Sequence, residues 1–215
     1  MSVHIEAFIL YIVIFFSQTV FLMKSGQGPE TASFSIPSLL FTILIYIIPS
    51  LFLIWFLLYR KKKPEYRLTC PGKNDLNSSL ITLPALLFTG LTVSLISAIA
   101  GAEASEPFIS SPSSLAGWIM LCFYCILSAY LEESFFRFYL LSKKEELKLT
   151  APFALAVSAL LFGICHIYEG IWGVLNAFLA GILLGVIFLK YRTIHGIAIA
   201  HAFYNITAFA LYAVV

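Results

Sequence analysis

A few residues in this sequence can move protons and polarise a carbonyl, and all of them stand in stretches otherwise made of apolar side chains. The first group is Tyr130-Leu131-Glu132-Glu133-Ser134-Phe135-Phe136-Arg137, the second Phe162-Gly163-Ile164-Cys165-His166, and the third His201-Ala202-Phe203-Tyr204-Asn205. A carboxylate in an apolar setting can act as a general base. An imidazole or amide in hydrocarbon needs a polar partner, and the other groups are the cheapest ones available.

Their spacing divides the labour. Arg137 follows Glu133 by four residues, so on a helix the two stack on one face, with the acid N-terminal to the base in the favourable order. Glu132 points about 100° away from Glu133, which gives Glu133 to the ion pair and leaves Glu132 as the freer carboxylate, the one suited to act as general base. His201 and Asn205 are also four apart and share a face. Each residue alone has an ordinary explanation: a Glu–Arg pair can serve helix association, and an intramembrane His can be structural. Taken together they are costly to scatter, since a charge at the centre of a spanning helix costs roughly 2.5–3.5 kcal/mol on insertion scales. They are therefore expected to converge on the bundle interior or a wet cavity.

The elements that must position them are membrane helices. Of 215 residues, 60% are hydrophobic and 11% charged, against about 25% charged in soluble domains, which excludes a water-soluble fold. Seven apolar stretches, at about 5–23, 36–59, 79–101, 115–141, 150–168, 171–189 and 194–214, are long enough to span a bilayer. They are continuously apolar rather than alternating, which excludes a barrel. The expected fold is all-α, a polytopic bundle of about seven spans. One membrane domain covers 1–215, with three N-terminal helices in 1–114 and the functional helices in 115–215. The first stretch lacks a basic leader, since Met1 to Ala7 contain no Lys or Arg, and it is expected to be retained as a span.

Charge sets the expected topology. Arg60, Lys61, Lys62, Lys63, Arg67, Lys73, Lys143, Lys144, Lys148, Lys190 and Arg192 fall on one side of alternating spans. The opposite side has Lys24, with Glu30, Glu103, Glu106 and Glu169. By the positive-inside pattern the N-terminus is cytoplasmic and the C-terminus outside. The net charge of +2 gives no reason to expect nucleic acid as a partner. Cys70, Cys122, Cys125 and Cys165 read as reduced packing residues. Asn77-Ser78-Ser79 matches a glycosylation acceptor but falls on the cytoplasmic side. Gly181 and Gly185 form a small-residue spacing that lets helices approach, and Pro49 is expected to kink the second helix.

The three groups together resemble the CPBP family of CAAX proteases and bacteriocin-processing enzymes, also called Abi. Glu132-Glu133-x-x-x-Arg137, Phe162-x-x-x-His166 and His201-x-x-x-Asn205 follow its order and approximate spacing over about residues 115–210. The resemblance implies an intramembrane endopeptidase in a prokaryotic cell membrane, acting on a membrane-anchored peptide or protein tail. It implies that Glu132 activates water with His166, and that His201 and Asn205 stabilise the oxyanion. Arg137 and Phe162 are supporting residues. No cofactor is the preferred reading; the alternative is zinc held by His166, His201 and Glu132, although no His-Glu-x-x-His motif is present. The competing functions are a non-catalytic scaffold or immunity-type protein, and a proton or ion carrier. One difficulty follows from the expected boundaries. They place Glu132 and His201 towards the cytoplasmic face and His166 nearer the outer one, unless the fifth helix is displaced, tilted or extended. The sequence leaves the oligomeric state open.

Overall fold

A computed structural model describes residues 2–17, 35–60, 70–102 and 112–212. The expectations attached to Lys24, Glu30, Lys61, Lys62, Lys63, Arg67, Glu103 and Glu106, and to the end of the first stretch, lie outside the described residues. Within them the chain forms seven helices: α1 (Val3–Phe16), α2 (Ile36–Tyr59), α3 (Lys73–Ile99), α4 (Leu115–Ser142), α5 (Ala151–Ile164), α6 (Gly170–Tyr191) and α7 (His195–Tyr212). No strand occurs among the described residues. Four helices are long and apolar enough to cross a membrane: α2, α3, α4, and α6 with the 3-10 turn Ile167–Glu169 before it. α1 and α5 are shorter apolar helices.

Local chemistry sets the ends. Ser2, Ser35 and Ser114 cap α1, α2 and α4 by accepting from the backbone N–H groups of Ile5, Ser38 and Gly117, satisfying donors that the first turn leaves free. Pro37 and Pro152 stand in the first turns of α2 and α5, where their missing N–H costs nothing. α3 starts six residues before the expected 79, because the Asp75 carboxylate accepts from the Gly72 N–H at 2.8 Å and closes its first turn earlier. That carboxylate also accepts from the Thr193 hydroxyl and from the Gly196 N–H at 3.2 Å, fastening the start of α3 to the start of α7. Ser78 is buried there and Ser79 donates to the Gly196 carbonyl at 2.8 Å, so the Asn77-Ser78-Ser79 tripeptide is part of a packed helix.

α1, α2 and α4 each contain a π-helical segment, at Tyr11–Phe16, Ile43–Ile47 and Ser134–Tyr139. The wider turn alters the backbone hydrogen-bond ladder, and neighbouring helices supply side-chain donors to it. Tyr46 donates to the Ile14 carbonyl, and Ser158 of α5 donates to the Phe136 carbonyl at 2.6 Å. In α2 the π segment ends just before Pro49, where the sequence predicts a distortion. The wider turn leaves room where the proline ring would meet the carbonyl four residues back.

α5 packs along α6, α6 along α3, and α7 lies against α3 and α4. α1 and α2 cover the far side of α4 through a core that includes Phe15, Ile43, Ile54, Phe135, Phe136 and Tyr139. The outer surfaces carry exposed Phe52, Phe88 and Ile99, as suits side chains facing lipid rather than water.

Candidate active site

α4 supplies both acids and the arginine, and its switch to π geometry begins at the residue after Glu133. Glu133 and Arg137 are completely buried, with Nη1 3.1 Å from Oε1. That contact is an ion pair without hydrogen-bond alignment, since Nη1 and Nε of Arg137 make no hydrogen bond among the described residues. The guanidinium has other support. Nη2 donates to the Gly181 carbonyl at 3.4 Å, and the charge lies over the Phe162 ring at 4.5 Å and the Phe136 ring at 5.7 Å. Cation–π contacts of this kind matter more where water is excluded.

His201, from α7, stands between the two acids. Its Nδ1 is 2.9 Å from Glu133 Oε1, and its Nε2 is 3.7 Å from Glu132 Oε2. A carboxylate oxygen can only accept in the 2.9 Å contact, so Nδ1 carries the proton and donates. The separation of the acids expected from helix geometry is observed, with Glu133 in the ion pair and Glu132 turned away from it. The sequence did not reveal that one imidazole reaches both.

Glu132 is half-buried and its two oxygens differ. Oε1 accepts from the Ser128 hydroxyl at 3.2 Å, whereas Oε2 is buried without a hydrogen-bond partner among the described residues. A buried carboxylate oxygen left so is expensive. The phenols of Tyr46, Tyr124 and Tyr168 lie close enough to feel the charge of Glu132.

His166 follows the end of α5 in a turn. Its Nδ1 donates to the Phe162 carbonyl at 2.8 Å, which in the neutral ring leaves Nε2 as an acceptor. It joins the site through rings rather than through a direct bond to either acid. Phe162 meets His166 edge-on at 4.8 Å and His201 at 5.9 Å, and Tyr168 stacks on His166 at 6.1 Å. The depth difficulty is reduced because α5 is 14 residues long, not the full span expected at 150–168. At 1.5 Å per residue that is about 21 Å, shorter than the roughly 30 Å hydrocarbon core. Its C-terminal end, with Phe162, therefore lies beside Arg137 and His201. Asn205 is half-buried one turn after His201 on α7. Gly181 acts in packing, as its spacing suggested, and additionally offers its carbonyl to Arg137.

Sequence reasoning missed Ser128, Tyr46, Tyr124, Tyr168 and Ser158. Ser128 was accessible from its position four residues before Glu132, on the same helical face. Tyr124 was accessible in the same way, two turns before Glu132 on that face, whereas Tyr46, Tyr168 and Ser158 carried no local signal because they stand on other elements.

The family model for Rce1-like type II CAAX prenyl endopeptidases matches residues 113–207. This segment is an Rce1-like domain of the CPBP family. Neither a curated protein nor a solved structure matches the chain. The Rce1-like domain runs from the start of α4 almost to the end of α7 and contains all three polar groups. With four long apolar helices, the match supports an integral membrane protein in a lipid bilayer, and the family matched is one of proteases. The Rce1-like domain contributes both acids, both imidazoles, Arg137, Phe162 and Asn205; Tyr46 comes from outside it.

Proposed function

We propose that this protein is an intramembrane endopeptidase that hydrolyses an amide bond in a membrane-anchored peptide or protein tail, using water activated by Glu132. The observation that carries the reading is the unpartnered, buried Glu132 Oε2 facing His201 Nε2 across 3.7 Å. A water admitted between them would need an oxygen about 2.8 Å from each atom. Glu132 then takes the proton as the water oxygen attacks the carbonyl carbon, and later delivers it to the leaving amine. His166, with Nδ1 committed to the Phe162 carbonyl, has Nε2 available to orient the water or the peptide.

His201 and Asn205 are the oxyanion donors in this scheme. Donation from Nε2 needs a doubly protonated His201, because Nδ1 already donates to Glu133. Two carboxylates and one guanidinium around the ring balance that charge. One well-placed donor to an oxyanion is worth about 2.7–4 kcal/mol of barrier. Glu133 and Arg137 hold the imidazole rather than touch the substrate.

The scheme is written without a metal, and zinc is its competitor. Among the described residues no three His, Cys, Asp or Glu side chains are grouped as ligands, and a catalytic zinc usually takes three. The cytoplasmic N-terminus, the entry of water from the basic face and the prokaryotic membrane belong to this proposal too.

Glu132→Gln tests it. Membranes from cells making the wild type and the variant are compared by peptide mass spectrometry. The variant should accumulate to the same level and elute as a folded species, with the cleaved products absent. Products that persist in Glu132→Gln would remove the peptidase reading and leave a scaffold or carrier.

A further inference from the structure

The two oxygens of Glu132 are held differently, and the difference comes from the residue one turn before it. Ser128 Oγ donates to Oε1 at 3.2 Å. Tyr124, Ser128 and Glu132 recur every four residues, so they share one face of α4. The hydroxyl has one proton to donate, and it goes to the carboxylate. Glu132 is therefore tied at Oε1, while Oε2 is buried without a partner and directed to the side of His201.

Resting on the peptidase reading above, we propose that Ser128 is a positioning residue for Glu132. By binding Oε1 it fixes the rotation of the carboxylate, so that Oε2 alone faces the water and takes its proton. Without the hydroxyl, neither oxygen is tied, and the acid spends less time with Oε2 aimed at His201. Ser128 touches no reacting atom in this scheme. Its effect falls on turnover rather than on substrate affinity.

The test uses two substitutions of nearly equal shape, Ser128→Thr and Ser128→Val, which differ in having or lacking the hydroxyl. Infrared difference spectra of the detergent-solubilised full chain against Glu132→Gln isolate the Glu132 carboxyl band. Ser128→Val should shift that band and Ser128→Thr should keep it. With a quenched fluorescent peptide bearing a farnesylated cysteine near its C-terminus, presented in lipid vesicles, Ser128→Val should lower kcat about tenfold at unchanged KM, the scale of one hydrogen bond to a charged group. Ser128→Thr should recover wild-type turnover. A carboxyl band at the same position in Thr and Val variants overturns the proposal, whatever the activity. Equal loss of turnover in both does so too, since shape alone would then explain it. Cleavage surviving in Glu132→Gln would instead remove the peptidase reading itself.

Discussion

The imidazole of His201 lies 2.9 Å from Glu133, the same carboxylate whose Oε1 is 3.1 Å from the Arg137 guanidinium. One buried acid thus holds a side chain from its own helix and one from α7. Arg137 affects the site by fixing the group that orients the imidazole.

Breaking this arrangement at Arg137 should be costly. Arg137→Leu leaves Glu133 buried with one fewer counter-charge, and removal of one partner of a buried ion pair typically costs about 3–5 kcal/mol. Replacing both residues, as Glu133→Leu with Arg137→Leu, should regain much of that stability and still leave the enzyme inactive. Unfolding in mixed detergent measures both variants. A neutral Arg137→Leu would mean the pair carries no structural weight.

The two glycines of α6 should respond unequally. A methyl group at Gly181 meets the Ala159 backbone at 3.0 Å, whereas one at Gly185 meets only the end of the Leu155 side chain. Backbone cannot swing aside and a leucine tip can. Gly181→Ala should therefore cost about 1–3 kcal/mol by overpacking and also disturb the carbonyl that Arg137 binds. Gly185→Ala should be nearly silent. Thermal midpoints of the two purified variants decide it, and the reverse order would contradict the packing described.

A second buried acid has a structural task. Glu6 of α1 accepts from Tyr139 at 2.7 Å, and pairs with Arg60 at 2.7 Å and Lys143 at 3.3 Å, joining α1, α2 and α4. Arg60 is 37% exposed, so water screens part of its share. Glu6→Gln should destabilise by about 1–3 kcal/mol while leaving KM unchanged, because the cluster lies outside the site. A change in KM without loss of stability would assign Glu6 to substrate binding instead.

Metal dependence has a direct measurement. Dialysis against a strong chelator should leave turnover intact if Glu132 activates water by itself. Loss of activity with recovery on added zinc would recast Glu132, His201 and His166 as ligands.

Much of the local structure was readable in the sequence. The polar groups, their order and the within-helix pairing of Glu133 with Arg137 follow from a fixed helical rise and period, which place residues four apart on one face whatever surrounds them. The apolar runs marked α2 and α4 almost to the residue, because a membrane helix needs little beyond continuous hydrophobicity. The start of α3 was missed, since Asp75 closes the first turn within a polar segment. The end of α5 was missed as well, because apolar composition carries on past Ile164 into the turn that holds His166.

Only the tertiary structure decided which groups meet between helices. That His201 stands between Glu132 and Glu133, that Ser158 serves the π turn after them, and that a short α5 sets Phe162 beside Arg137 all depend on how faces pack. The spacing of Gly181 and Gly185 marks a face for close packing but not its partner, and carbonyls freed locally from the helical ladder leave no periodic trace in the chain. The sequence determined which side chains were too polar to face lipid, and the packing of seven helices determined what each of them touches.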